Sequence, residues 1–438
     1  MPPRRILLVD ADAFFVAVAR QVDPDGAGKA PLLIVGGRPG SRGVVCSASY
    51  ECRAYGVRSA MPIARALVLC PEALCVPVPR SACSTRSREI QAVLARFAPV
   101  VQASSIDEWY CDLGGTEALY GHEPLRDTAH RIRRAVFDAT GLNVSIGGGT
   151  SRLVAKMAVE VAKPKPGTGA DGVHCVVPGG EAEFLARFRL ADLPMVGPRF
   201  AEKLARMGLE TVREAQGWSE AAFVSRLGDR AGRWLARRVQ GVDDSVVTAR
   251  DRQKQVSRED TFARDLDDDD TIERELLRLA VRVSADLRRQ ALRARTVTVK
   301  VKDRDFRTRT AQRTLGSFIE SEQSVLKAAR PLLRHLRGKR RVPIRLLGIA
   351  LSHFDDESGA VPVQATQLGL FGAATAEAPN TGPPGTGEGA GSADPAESTR
   401  DRALTRALDR IRDRYGSGAI LPARLVDPGQ ETGPRVEE

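Results

Sequence analysis

The sequence predicts a multidomain α+β protein. Its 438 residues exceed what one hydrophobic core ordinarily supports. Short aliphatic runs alternate with amphipathic helical stretches up to about residue 166, residues 184–240 read as helical throughout, and alternation resumes after residue 257. A content of 42% hydrophobic and 28% charged residues excludes a disordered or collagen-like chain. The 66 Lys+Arg against 55 Asp+Glu leave a net charge of +11, which points to a polyanionic partner. No apolar run reaches the roughly 18 residues of a membrane span, and the start MPPRRILLVDADAFF has no signal-peptide core, so a cytoplasmic, non-membrane protein is expected. The seven cysteines are odd in number and form no CxxC, so reduced, mostly buried thiols are expected.

Residues 5–10 (RILLVD) read as a strand ending in a carboxylate, followed by a helix in AFFVAVARQ. Strands are expected at 31–35 and 43–48 and helices at 49–55 and 61–69, so that residues 16–78 form a small insert. Residues 84–97 read as a helix, and 100–106 as a strand that Asp107-Glu108 interrupts before an apolar run resumes at Trp109. A strand at 143–146, a turn at the GGG of 147–149, and a helix from an N-capping Ser151 to about Ala162 follow, stopped by Pro164 and Pro166. LADLPMVGPRFAEKLARMGL resembles a helix-hairpin-helix, a motif that turns backbone amides toward a phosphate. Residues 246–256 are polar without apolar period and read as a linker. Beyond it the expectation is a helix at 272–289, a strand at 296–301, a basic strand pair at 306–315, a helix at 325–336 and a strand at 346–354. Residues 372–398 are too rich in Ala, Gly, Pro, Thr and Glu to fold, and residues 399–415 read as a short amphipathic helix with Gly416 as its stop.

Asp10, Asp12, Asp107 and Glu108 sit at or just past strand ends, where a desolvated carboxylate needs a compensating cation. Mg²⁺ suits such oxygen ligands, and two ions about 4 Å apart activate a hydroxyl and hold a leaving pyrophosphate. Taken alone, DxD and DE are more often turn acids than metal sites. The glycines at 147–149 do not form GxxxxGK[ST], so a P-loop is not supported.

LLVDADAFFVAVA, VVCSASYECRAYGVRSAMP, SSIDEWYCDL and VSIGGGTSRLVAKMAVEVAKPKPG stand in the order found in Y-family DNA polymerases, most like the DNA polymerase IV (DinB-type) branch. The resemblance covers about residues 4–371. It implies a right-hand polymerase: palm at 1–15 and 79–166, small fingers at 16–78, helical thumb with the helix-hairpin-helix at 167–245, linker at 246–256, α+β little finger at 257–356 and a tail at 357–438. It implies low-fidelity translesion synthesis on primed template DNA with deoxynucleoside triphosphates and two Mg²⁺ ions, in a monomer that serves DNA repair and damage tolerance. Asp10, Asp107, Glu108 and the Ala11 carbonyl become the metal ligands, with Asp12 supportive. Phe15 becomes the steric gate against a 2′-hydroxyl and Phe14 shapes its pocket, while Ser47, Tyr50, Arg53 and Lys163 hold the triphosphate. Cys46 and Ala60 align with the small residues that roof the nascent base pair. Two departures stand out: Met195 replaces the usual glycine of LPGVG, and Trp109 follows the paired acids where relatives carry alanine.

The stretch LRRQALRARTVTVKVKDRDFRTRTAQRT concentrates cations that would grip phosphates without reading sequence, with Arg293, Arg295, Lys300, Lys302, Arg307 and Arg309 as candidates. Gln367, Leu368, Leu370 and Phe371 lie in a QLGLF peptide that resembles the segment bacterial polymerases insert into the replicase's sliding clamp. The alternative is a catalytically silent Y-family adaptor that binds DNA and clamp. Such adaptors lack the three acids that this chain keeps.

Overall fold

The computed structural model describes residues 3–164, 169–249, 253–355, 397–416 and 419–425. The chain divides into two compact units, Met1–Asp251 and Arg252–Glu438. In the first, β1 (Ile6–Ala11) leads into α1 (Phe14–Val22), and β2 (Leu33–Gly36), β3 (Val45–Ala48), α2 (Tyr50–Ala54), α3 (Ile63–Leu69) and β4 (Leu74–Val76) follow, with a separate sheet of order β3-β2-β4. The chain then continues through α4 (Arg80–Leu94), β5 (Val100–Ala103), β6 (Glu108–Asp112), α5 (Leu125–Thr140), β7 (Val144–Gly149), α6 (Arg152–Ala162) and β8 (Val173–Cys175). These complete a five-stranded sheet of order β5-β6-β1-β7-β8.

Both faces of that sheet are covered, which is why its central strand reads as an unbroken aliphatic run. Leu7, Val9 and Ala11 of β1 point into a core shared with α4 and α5, while Ile6 and Leu8 point the other way, toward Ala155 and Val159 of α6. Trp109 lies wholly buried in the first of these cores, so the departure after the paired acids is core packing. The GGG expected to turn belongs instead to β7, in register with Ile6, Leu7 and Leu8 of β1. The reason is a close approach: a Cβ on Gly147 would stand 2.2 Å from both the Ala155 carbonyl and the Val159 amide. Ser151 caps α6 as expected, its hydroxyl accepting from the Val154 amide at 3.2 Å.

The remaining helices of this unit, α7 (Glu181–Leu185), α8 (Pro198–Ala205), α9 (Val212–Gln216), α10 (Glu220–Leu227) and α11 (Asp229–Val239), share one apolar cluster with Leu153, Val154 and Met157 of α6. The predicted linker is shorter than expected. Val247 is buried beside Ile6 and Leu8, the Thr248 amide donates to Gln102 at 3.2 Å, and Gln255 already begins a strand.

That strand, β9 (Gln255–Leu266), falls where the sequence shows only a linker to residue 256 and no element before residue 272, because its charged residues hide the alternation. It joins α12 (Asp269–Arg289), β10 (Ala294–Asp303), β11 (Thr308–Ile319), α13 (Glu322–Lys339) and β12 (Ile344–Phe354) in the second unit, whose sheet runs β11-β10-β12-β9, antiparallel throughout. Phe306, expected in a strand, belongs to the β10–β11 turn. One sheet face packs on α12 and α13 through Val297, Val299, Val301, Leu347 and Ile349.

The terminal amphipathic helix, α14 (Thr399–Tyr415), docks on this unit. Just before it, the buried Glu397 carboxylate accepts from the Ser321 amide at 2.7 Å at the start of α13, and Asp409 takes a two-pronged bond from the Arg288 guanidinium at 2.5 and 2.8 Å. The QLGLF peptide and nearly all of the predicted spacer lie outside the described residues.

Met195 adopts φ +75° in the turn before α8 with its side chain exposed. A left-handed conformation costs a non-glycine residue about 1–2 kcal/mol, part of which glycine gives back as unfolded-chain entropy. Met195→Gly is therefore expected to raise unfolding stability by about 0.5–1 kcal/mol in urea titration. An unchanged or lower midpoint would mean that the methionine side chain is held in place.

Candidate active site

The antiparallel register sets Asp10 of β1 directly beside Glu108 of β6, and the side-chain period of two turns both toward the α6 face of the sheet. Asp107 is the residue before β6, its carbonyl accepting from the Ala11 amide at 2.9 Å. The three acids and Ala11 therefore meet where two strands end. Among the described residues no three acidic, histidine or cysteine side chains stand together so as to hold a metal ion by themselves, and each of the acids has a nearby partner. Asp10 pairs with Lys163 at 3.0 Å, Glu108 with Lys156 at 2.5 Å, and Asp107 accepts from the Ser105 hydroxyl.

Burial raises the Asp10 pKa to about 7 although Lys163 pulls it down, and the neighbouring Glu108 adds to the rise. Burial also works against the two ammoniums, yet Glu108 lifts Lys156 and Asp10 lifts Lys163 above the ordinary lysine value. Neighbouring carboxylates under these conditions keep their charge only when cations stand beside them. Hard divalent cations fit this oxygen donor set. Asp12 is held apart, accepting from the Ser145 hydroxyl at 2.8 Å, with its pKa raised by burial.

The insert contributes the other half of the site. Ser49 caps α2 by accepting from the Cys52 amide at 3.3 Å, which sets Tyr50 and Arg53 on that helix's first turns. The Arg53 guanidinium lies 5.1 Å from the Tyr50 ring centre and donates to the Ala48 carbonyl at 3.0 Å. Burial raises the Tyr50 hydroxyl pKa, the carboxylates of Asp12 and Asp10 add to the rise, and Arg53 and Lys163 oppose it. Ser47 is buried on β3. The Cys46 carbonyl accepts from Ser59, one residue before Ala60, and both Cys46 and Ala60 are exposed. Phe14 is buried, and Phe15 meets it edge to face at 5.5 Å and remains partly open. A cleft of about 390 Å³ at this junction is lined by Asp12, Tyr50, Arg133 and Asn143. A larger cavity of about 710 Å³ involves none of the three acids and meets the site through Glu160, which bonds Lys163 at 2.9 Å.

Sequence reasoning missed Lys156, Glu160, Ser105 and Ser145. The signal for Lys156 was present: it stands on α6 seven residues before Lys163, the residue that follows the helix.

In the second unit the cations divide between structure and surface. Arg309 is mostly buried and bonded to Asp303 at 2.7 Å, and Arg293 is paired with Asp355. Lys300 and Lys302 project to the face away from the helices, Lys300 pairing with Glu259 at 2.8 Å. Arg295 and Arg307 are exposed. By register, Thr296, Thr298, Thr308, Thr310, Gln312, Thr314, Ser257 and Ser352 share the open face with those lysines. That face is hydroxyl-rich, whereas the sequence reading had it arginine-rich.

The model of the impB/mucB/samB family matches residues 9–160, and the model of that family's C-terminal domain matches residues 253–370. A protein named DNA polymerase IV from Dehalococcoides mccartyi (strain CBDB1) is 32% identical over 97% of this chain and 98% of its own length. The chain is a Y-family DNA polymerase by descent. Another relative of that name, from Methanoculleus marisnigri (strain ATCC 35101 / DSM 1498 / JR1), is 38% identical over 80% of this chain and 94% of its own. Among solved structures, a chimeric Y-family DNA polymerase built from Dbh shares the fold with a TM-score of 0.70 at 24% identity, covering 80% of this chain and 98% of that one. The insertion ternary complex of Dbh DNA polymerase aligns with a TM-score of 0.56 at 23% identity over the same shares. In this Y-family chain no helix among the described residues is long and apolar enough to cross a membrane.

If the acids bind divalent cations, magnesium must displace Lys163 from Asp10 and stabilise the fold by mass action. Thermal melting with millimolar magnesium is expected to rise by about 2–4 °C. The rise should vanish in Asp10→Ala, and no rise in the unaltered chain would remove the assignment.

Proposed function

We propose that the chain is a template-dependent translesion DNA polymerase that extends a primer 3′-end, and the observation that carries this is the placement of Asp10 beside Glu108, with Asp107 immediately before it at the same strand end and Lys163 against Asp10. Asp10, Asp107, Glu108 and the Ala11 carbonyl would hold two Mg²⁺ ions. When bound, such ions neutralise phosphate charge and lower the pKa of the primer hydroxyl.

The chain's own groups do the positioning. The Arg53 fork and the Lys163 ammonium hold triphosphate oxygens, Tyr50 and Ser47 add hydroxyl donors, and the Phe15 ring lies against the sugar where a 2′-hydroxyl would stand. The primer 3′-hydroxyl gives up its proton to solvent and its oxygen forms a bond to the α-phosphorus, as the bond from that phosphorus to the bridging β-phosphate oxygen breaks and pyrophosphate leaves. Held in line, this transfer gains mainly from orientation and charge complementarity. Exposed Cys46 and Ala60 leave room above the nascent pair, which supports tolerance of adducts. Lys300 and Lys302, amid hydroxyls on an open sheet, support sequence-blind phosphate contact. The QLGLF peptide supports attachment of a monomer to a sliding clamp. The three retained acids speak against a silent adaptor.

Primer extension tests this reading. Asp107→Ala and Glu108→Ala are each expected to lower extension in magnesium by at least about 10³-fold, with DNA binding retained. Extension that survives either change would sink the proposal. Phe15→Ala is expected to admit ribonucleotides at rates within about tenfold of deoxynucleotides. Unchanged sugar discrimination would take the gate away from Phe15.

A further inference from the structure

The turn joining β10 to β11 carries an aromatic ring that the fold does not explain. Phe306 adopts φ +66° and is 63% exposed. Glycine or asparagine would close the same turn without the strain of about 1–2 kcal/mol, and an exposed ring recovers little of that by burial.

The turn is nevertheless rigid. The Phe306 amide donates to the Asp303 carbonyl and the Asp303 amide to the Arg307 carbonyl, each at 2.9 Å. Beneath it the fully buried Asp303 carboxylate is held by Arg309 at 2.7 Å and Arg340 at 2.6 Å, and Arg340 also binds Asp305 at 2.7 Å. Both acids of the turn are thus neutralised internally, and the surface charge that remains is positive. Arg304 and Arg307 are exposed and without an ion-pair partner among the described residues. The Arg345 guanidinium lies 4.6 Å from the Phe306 ring centre, which leaves most of the ring in solvent.

We infer that this turn is a stacking platform for an unpaired base of single-stranded DNA, with Phe306 as the platform and Arg304 and Arg307 on the flanking phosphates. A ring backed by a guanidinium and flanked by cations is how non-specific single-strand sites combine stacking with backbone attraction. A duplex offers no free base face, so the occupant is an unpaired segment. The inference rests on reading the second unit as a DNA-binding unit.

The test uses the full-length chain with a labelled oligothymidylate of about 16 nucleotides and an abasic oligomer of equal length, read by fluorescence anisotropy at several salt concentrations. Phe306→Ala is expected to weaken oligothymidylate binding about fivefold or more at every salt concentration and to leave the abasic oligomer unaffected. In Phe306→Trp, the added indole emission should be quenched by oligothymidylate and not by the abasic strand. Equal affinities for the alanine variant and the unaltered chain, or equal losses on both strands, would overturn the inference. If the alanine variant melts early, the tryptophan readout decides. The underlying DNA-binding reading fails separately: binding of primed duplex by the unaltered chain would then be insensitive to salt and to Lys300→Ala with Lys302→Ala.

Discussion

The close seat of α6 on β1 and β7 is the constraint from which the arrangement of the candidate site follows. Gly147 offers no Cβ to hold the helix away, so the Ala155 and Val159 backbone comes directly against the sheet. That spacing brings Lys156 of α6, and Lys163 immediately after its last turn, to the strand ends that carry Glu108 and Asp10. Adjacent carboxylates at a buried edge are unstable unless charge is returned to them. The two ammoniums return it.

The same logic of internal neutralisation governs the second unit. Half of the arginines in its basic stretch are committed to carboxylates, among them Arg288 to Asp409 of α14, Arg293 to Asp355, and Arg309 to Asp303. These bonds fasten helices, turn and tail to one sheet. The face left open carries two lysines among serine and threonine hydroxyls, a chemistry of many weak, sequence-indifferent hydrogen bonds rather than of planar guanidinium forks. Glu397 contributes in the same way, its carboxylate meeting the amides at the start of α13, a helix terminus that favours negative charge.

Much of this was legible beforehand. β1 showed itself by an aliphatic run ending in acid, α6 by an N-capping serine and closing prolines, and α14 by apolar spacing with a terminal glycine. The failures share a cause. The glycines of 147–149 have the composition of a turn, and only the helix lying on them makes them strand. β9 is an edge strand whose Arg258 and Asp260 reach the helices and whose other side faces solvent, so its alternation is masked by charge on both faces.

The sequence by itself determined most of the element types, because these depend on local periodicity, and through the order of its motifs it pointed to Asp10, Asp107 and Glu108 and to Tyr50 and Arg53. Tertiary structure alone decided which charges answer which. Lys156 finds Glu108 across 48 residues, and Arg288 finds Asp409 across 121. Ion pairs of that separation leave no periodic trace along a chain, since proximity arises only when strands pair and helices settle on them.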